Sequence, residues 1–169
     1  MYTTDPICRE LESDNSATFY FTQGSNECKP PPGFLDYFGP PPHYRFIDYD
    51  GIERNDVLER VRDFPEGEVA EDVLRELMPK GTEDVRESVR IALDKIYRTM
   101  DEHGPFDGIC AYSEGATVGA TLILDERRRF EEEGRKRQIK CAVFFAGWPP
   151  LYVLGYIFFC SNQLHLDFL

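Results

Sequence analysis

A chain of 169 residues is long enough for one domain with a sizeable core and short for two. Its formal charge of -12 argues against nucleic acid and anionic membrane surfaces as partners, and its 14% aromatic content excludes a compositionally disordered chain. The five cysteines, Cys8, Cys28, Cys110, Cys141 and Cys160, form no C-x-x-C pair and no metal-ligand spacing, which fits a reducing compartment and implies no metal. Cys110 and Cys141 lie in apolar, strand-like runs and read as buried thiols. No charged-plus-apolar leader is present, and the longest apolar run, Leu151 to Cys160, is too short for a bilayer, so the expected location is cytoplasmic with no membrane partner.

Residues 1–16 are polar and unpatterned and read as a loose lead-in. Ala17 to Phe21 is β-rich and predicts a strand. Thr22 to Pro42 carries two proline and glycine clusters that forbid regular structure. Phe34, Tyr37 and Phe38 between the clusters suit either packing over a sheet or the rim of an apolar ligand pocket. A proline-rich ligand for a recognition module is the other reading of that loop. Tyr44 to Tyr49 predicts a short aromatic strand. Asp56 to Phe64 and Val69 to Met78 predict short amphipathic helices, separated by Pro65 and Gly67 and stopped by Pro79.

Thr82 then caps a longer predicted helix, with Val85, Val89, Ala92, Leu93, Ile96 and Met100 at helical period and Gly104-Pro105 as its stop. A short apolar run reaches Tyr112, and a helix is predicted from Gly115 to about Glu133, closed by Gly134. Its blocks Arg127-Arg128-Arg129 and Glu131-Glu132-Glu133 put opposite charges at helical spacing and read as a solvated face. Cys141 to Ala146 is continuously apolar, as in a parallel strand buried on both faces, and Gly147-Trp148-Pro149-Pro150 ends it. Strands alternating with helices give an α/β fold with right-handed crossovers.

The chemistry concentrates where the first of these late strands meets its helix, in Ala111-Tyr112-Ser113-Glu114-Gly115. An exposed nucleophilic serine needs a tight strand-to-helix turn, and the positions two before and two after it must be nearly free of side chain. Ala111 and Gly115 satisfy this, Ala111 being the mildest departure from G-x-S-x-G. In such a turn the Glu114 N–H is aimed at a developing oxyanion, with the helix dipole behind it. The plainer reading makes Ser113 a helix cap. A nucleotide-binding module is a weaker alternative, because the turn lacks the glycines and lysine of a phosphate loop and places an acid at the helix N-terminus.

With these stretches in view, the chain resembles the FSH-type serine hydrolases, a largely fungal branch of the α/β-hydrolase fold. The resemblance rests on Phe19 to Gly24, Phe38-Gly39-Pro40-Pro41, Phe64-Pro65-Glu66-Gly67, Gly104-Pro105-Phe106-Asp107-Gly108 leading into Tyr112-Ser113-Glu114-Gly115-Ala116, and Val143 to Pro150. It covers residues 17–150, which form the predicted hydrolase core between the lead-in at 1–16 and a divergent apolar tail at 151–169. It implies an α/β-hydrolase-like fold, a mostly parallel sheet flanked by helices, with Ser113 as nucleophile and the Glu114 N–H as half of the oxyanion hole. It implies hydrolysis of an ester or thioester without a cofactor, on a small-molecule or carrier-protein-bound acyl substrate, as in secondary metabolism.

The family's His-Gly turn at the first strand and its later Asp and His strands have no counterpart in this sequence, so the sheet is expected to be incomplete, its first and last strands missing. A serine hydroxyl needs a base to take its proton. His43 reads as an exposed loop residue and His103 as a helix C-terminal cation. His165 and Asp167 stand too close together to line up as imidazole and carboxylate, and Asp125 lies three turns beyond Ser113. Two readings follow: an active serine hydrolase, or a truncated scaffold without catalysis that binds a partner or ligand. Open sheet edges lead us to expect poor solubility, with Leu151 to Cys160 as a replacement edge strand or an aggregation hazard.

Overall fold

The structure is a computed structural model that describes residues 5–29, 35, 39–48, 82–148 and 150–151. The helices expected at 56–64 and 69–78, the loop aromatics Phe34, Tyr37 and Phe38, and the tail from 152 onward lie outside the described residues.

From Asp5 on, the described part of the lead-in is ordered into a helix rather than loose. Asp5–Ser13 forms helix α1, with Pro6 in its first turn and Asn15 in the left-handed region (φ 60°) after its end. The Ser16 and Ala17 N–H groups donate to the Leu11 carbonyl at 2.9 and 3.1 Å, and Cys8 is buried. Ile7 and Leu11 remain exposed, which is why no broad apolar stripe marks this helix in the sequence.

Ala17 to Phe21, where a strand was expected, has no regular secondary structure and enters no ladder among the described residues. Side chains hold it instead. Tyr20 stacks on His103, with ring centroids 4.7 Å apart, and lies 5.8 Å from the Phe106 ring. Lys95 Nζ donates to the Gln23 carbonyl at 2.9 Å and to Ser25 Oγ at 3.1 Å. Strands β1 (Asn26–Cys28) and β2 (His43–Arg45) then pair antiparallel, Glu27 opposite Tyr44. The strand expected from Tyr44 to Tyr49 is thus shorter. Beyond it Ile47 is fully buried and the Asp48 N–H donates to Ser88 Oγ at 2.6 Å.

Helix α2 (Thr82–His103) buries Val89, Ala92, Leu93, Ile96 and Met100, the stripe its period predicts, and the Gly104 N–H closes it on the Met100 carbonyl at 2.9 Å. Strand β3 (Gly108–Tyr112), helix α3 (Glu114–Glu133) and strand β4 (Cys141–Phe145) form one parallel crossover unit, with Gly108 opposite Cys141 and Tyr112 opposite Phe145. Gly134 at φ 69° ends α3, its N–H on the Phe130 carbonyl at 3.1 Å. α3 lies close on the sheet because Gly119 faces it: a Cβ there would meet Phe144 at 2.8 Å and Ile109 at 3.0 Å. Val118 and Leu122 of α3 join Ile47 and the α2 stripe in one core.

Two threonines of α3 fasten the chain that leaves β4. Thr117 Oγ1 accepts from the Trp148 N–H at 2.9 Å and donates to its carbonyl at 3.2 Å. Thr121 Oγ1 donates to the Thr117 carbonyl at 2.7 Å and accepts from the Leu151 N–H at 2.8 Å.

Two expectations about burial are corrected. Cys110 and Cys141 are exposed, and β4 is not buried on both faces: Val143 is half exposed. Ile109, Ala111 and Phe144 face α3, so by the period of two Cys110, Tyr112 and Val143 point away from it, to a side where they stay open. The charged half of α3 is also not wholly solvated. Arg127 and Glu131 pair at 2.8 Å in solvent, but Arg128 and Arg129 turn to the buried Asp125, which also accepts from the Tyr97 hydroxyl at 3.0 Å. No described helix is long and apolar enough to cross a membrane.

Candidate active site

The site is built at the C-terminal end of β3, where the chain must reverse from strand to helix within one residue. Ser113 takes φ 54° and ψ -124°, a combination that costs a side-chain-bearing residue about 1–3 kcal/mol. Its neighbours hold it there. The Ser113 N–H donates to the Phe145 carbonyl at 2.8 Å, one step beyond the β3–β4 register. Its own carbonyl accepts from the Ala116 and Thr117 N–H groups at 3.0 and 3.3 Å and so begins α3. The side chain makes no capping hydrogen bond. Ser113 therefore stands at the helix start without serving as its cap, and its half-buried hydroxyl is free of the backbone.

The small flanking residues leave little spare room in the turn. A Cβ on Gly115 would lie 3.9 Å from the Ala111 methyl and 3.9 Å from the Phe46 ring. The turn therefore closes with Ala111 already filling one side. Glu114 is the first residue of α3, so its N–H belongs to the first turn, whose donors have no intrahelical acceptor.

The Glu114 side chain was not anticipated. Its Oε2 accepts the Phe46 N–H at 2.7 Å, across 68 positions of sequence, while its Oε1 is buried without a hydrogen-bond partner. Neither Phe46 nor the ribbon before it carries a local signal of this contact, because it pairs a side chain with a backbone group. His43 is also corrected. It sits half-buried on β2 rather than on an exposed loop, and its Nε2 is buried and unpartnered, as is Arg45 Nε. The Arg45 guanidinium pairs with Asp48 through Nη2.

The remaining candidates are not brought to Ser113. His103 ends α2 just before β3, about 17 Å of strand away from the turn, and stacks on Tyr20. Asp125 is committed to Tyr97, Arg128 and Arg129. His165 and Asp167 lie outside the described residues. Among the described residues no group of three or more His, Cys, Asp or Glu side chains could hold a metal ion.

A strained serine between a parallel strand and a helix, flanked by residues of minimal side chain, is the arrangement of a nucleophile turn. Residues 4–153 match the family model for serine hydrolase (FSH1). The chain belongs to the FSH1 serine hydrolases. The match is wider than the stretch that carries the resemblance in the sequence, since it takes in α1 and the first residues after Pro150. Membership implies an α/β-hydrolase-type fold, of which β3, α3 and β4 are the described parallel part. Among related proteins, Hydrolase phiM of Talaromyces stipitatus is 26% identical over 145 residues, covering 85% of this chain and 46% of that protein. Hydrolase phiM of Fungal sp. is 35% identical over 75 residues, covering 44% of this chain and 35% of its own. The FSH1 chain thus spans less than half the length of these curated relatives. No solved structure matches it significantly.

Proposed function

We propose that this FSH1 protein hydrolyses an ester or thioester through an acyl-enzyme on Ser113. In the first step Ser113 Oγ attacks the carbonyl carbon while its proton passes to a base; the tetrahedral intermediate collapses, the C–O or C–S bond breaks, and the base returns the proton to the departing alcohol or thiol. Water then cleaves the acyl-serine. The Glu114 N–H and the N-terminus of α3 would stabilise the tetrahedral oxyanion. A small-molecule ester and an acyl thioester held by a carrier protein both fit this chemistry, and release of an acyl product in secondary metabolism is its natural setting. The observation that carries the reading is the backbone of Ser113: strain at φ 54° and ψ -124° has no use in a helix cap and leaves the hydroxyl uncommitted.

A non-catalytic scaffold is the second reading. It is favoured by one observation, that neither described histidine hydrogen-bonds the Ser113 hydroxyl. A fluorophosphonate probe separates the two, because it labels an activated serine and not a merely exposed one. The expected result is labelling of the purified chain, mapped by mass to Ser113 and abolished in Ser113→Ala. Folded wild-type protein that takes no label would leave the scaffold reading in its place.

A further inference from the structure

Carboxylates in the first turn of a helix ordinarily face solvent and act through the helix dipole alone. Glu114 does not. Its carboxylate reaches back to the main-chain N–H of Phe46 at 2.7 Å, a charge-assisted bond, and makes no other hydrogen bond among the described residues. The segment it grips is pinned on its other sides. Asn26 Nδ2 donates to the Phe46 carbonyl at 3.0 Å, Ile47 is buried in the core, and the Asp48 N–H is held by Ser88 of α2. The Phe46 ring rests 3.9 Å from the Cβ position of Gly115. The Glu114 side chain is therefore tied at its far end to a segment that is itself held by Asn26, Ser88 and the core. A residue fixed at both backbone and side-chain tip cannot rotate its peptide plane freely.

We infer that Glu114 is a positioning residue: its carboxylate, bonded to Phe46, sets the direction of its own N–H and holds β1–β2 against the nucleophile turn. This deepens the hydrolase reading and rests on it for its catalytic consequence. Donors that stabilise an oxyanion act by being aimed before the charge forms, so a loosened donor lowers the rate of the bond-forming step more than it weakens encounter with the reagent.

The test compares wild type, Glu114→Ala and Glu114→Gln in the full chain. The rate of Ser113 phosphonylation is measured against probe concentration to separate the limiting rate from the half-saturating concentration. Amide hydrogen exchange is followed at Phe46 and Glu114. We expect Glu114→Ala to lower the limiting rate about tenfold while the half-saturating concentration stays within about twofold, and Glu114→Gln, which keeps an acceptor, to restore most of the rate. The Phe46 amide should exchange at least about tenfold faster in Glu114→Ala and near the wild-type rate in Glu114→Gln, with the amides of β3 unchanged. A Glu114→Ala rate equal to wild type, or a Gln variant as slow as Ala, overturns the inference. Wild-type protein that takes no probe sinks the hydrolase reading; unchanged Phe46 and Glu114 exchange in Glu114→Ala then removes the tether as well, whereas faster exchange at both leaves the positioning contact standing.

Discussion

Ser113 pays for its position with backbone strain, and the strain can be relieved without moving the chain. Glycine adopts φ 54° and ψ -124° freely, whereas alanine does not. Both Ser113→Gly and Ser113→Ala delete the hydroxyl, so their difference isolates the backbone. Ser113→Gly should be the more stable of the pair by about 1 kcal/mol in urea denaturation. Equal stabilities would mean that the turn is not held under strain. A sharp strand-to-helix turn at Ser113 could be expected from the sequence, because small residues at 111 and 115 are a local pattern with a steric cause. The Glu114–Phe46 bond was not, since a carboxylate in a first helical turn has an ordinary explanation and a backbone N–H has no letter in the sequence. His43 was misplaced for a related reason: proline-rich surroundings spoke for a loop, while a three-residue ribbon pairing it with Cys28 is too short to leave an alternating pattern.

Between helices, the Tyr97 hydroxyl of α2 donates to the buried Asp125 of α3. Burial first, and then the charge and hydrogen bond of Asp125, hold the Tyr97 hydroxyl above its ordinary pKa of 10.0. The unfolded chain therefore releases this proton near its ordinary pKa, while the folded chain keeps it. The contribution is fully present below that value and is lost as pH rises through the folded pKa. Thermal melting followed from pH 9 to about pH 11.5 should fall less steeply in Tyr97→Phe than in wild type; matching slopes would show that the hydroxyl is not held neutral by the fold. The phenylalanine ring still lies under Arg129, whose guanidinium sits 4.0 Å above Tyr97. The two long helices were legible from end to end, because period, stop signals and the Gly134 cap all agreed. Three features failed. α1 buries little beyond Cys8, so its stripe is faint even though Asp5-Pro6 is a start signal. Arg128 and Arg129 looked solvated because their partner Asp125 lies a turn earlier, outside the charge blocks. Ala17 to Phe21 has strand composition but pairs with no strand among the described residues, and composition does not supply a neighbour.

For the molecule as a whole, a charge of -12 and the open side of the β3–β4 pair act in opposite senses. Cys110, Tyr112 and Val143 present apolar surface away from α3, while like charge keeps copies apart. Added salt screens the repulsion over a shorter distance and leaves the apolar attraction in place. Sedimentation velocity should therefore show self-association that grows with both protein concentration and sodium chloride, and Val143→Lys should weaken it. A monomer at all salt concentrations would show that this side carries no association. The family and its α/β order were readable from motifs spread along the chain; which sheet face stays open was not, because a run such as Cys141 to Phe145 looks the same whether one side is covered or both. The threonine pair on α3 has its own consequence at this scale. Thr117 and Thr121 are about 6 Å apart along the helix axis, and they grip Trp148 and Leu151. The helix thereby serves as a ruler for the segment leaving β4, and its graduations are whole turns. Adding or removing one residue between 148 and 151 cannot be absorbed by sliding, since the next hydroxyl lies at no intermediate mark.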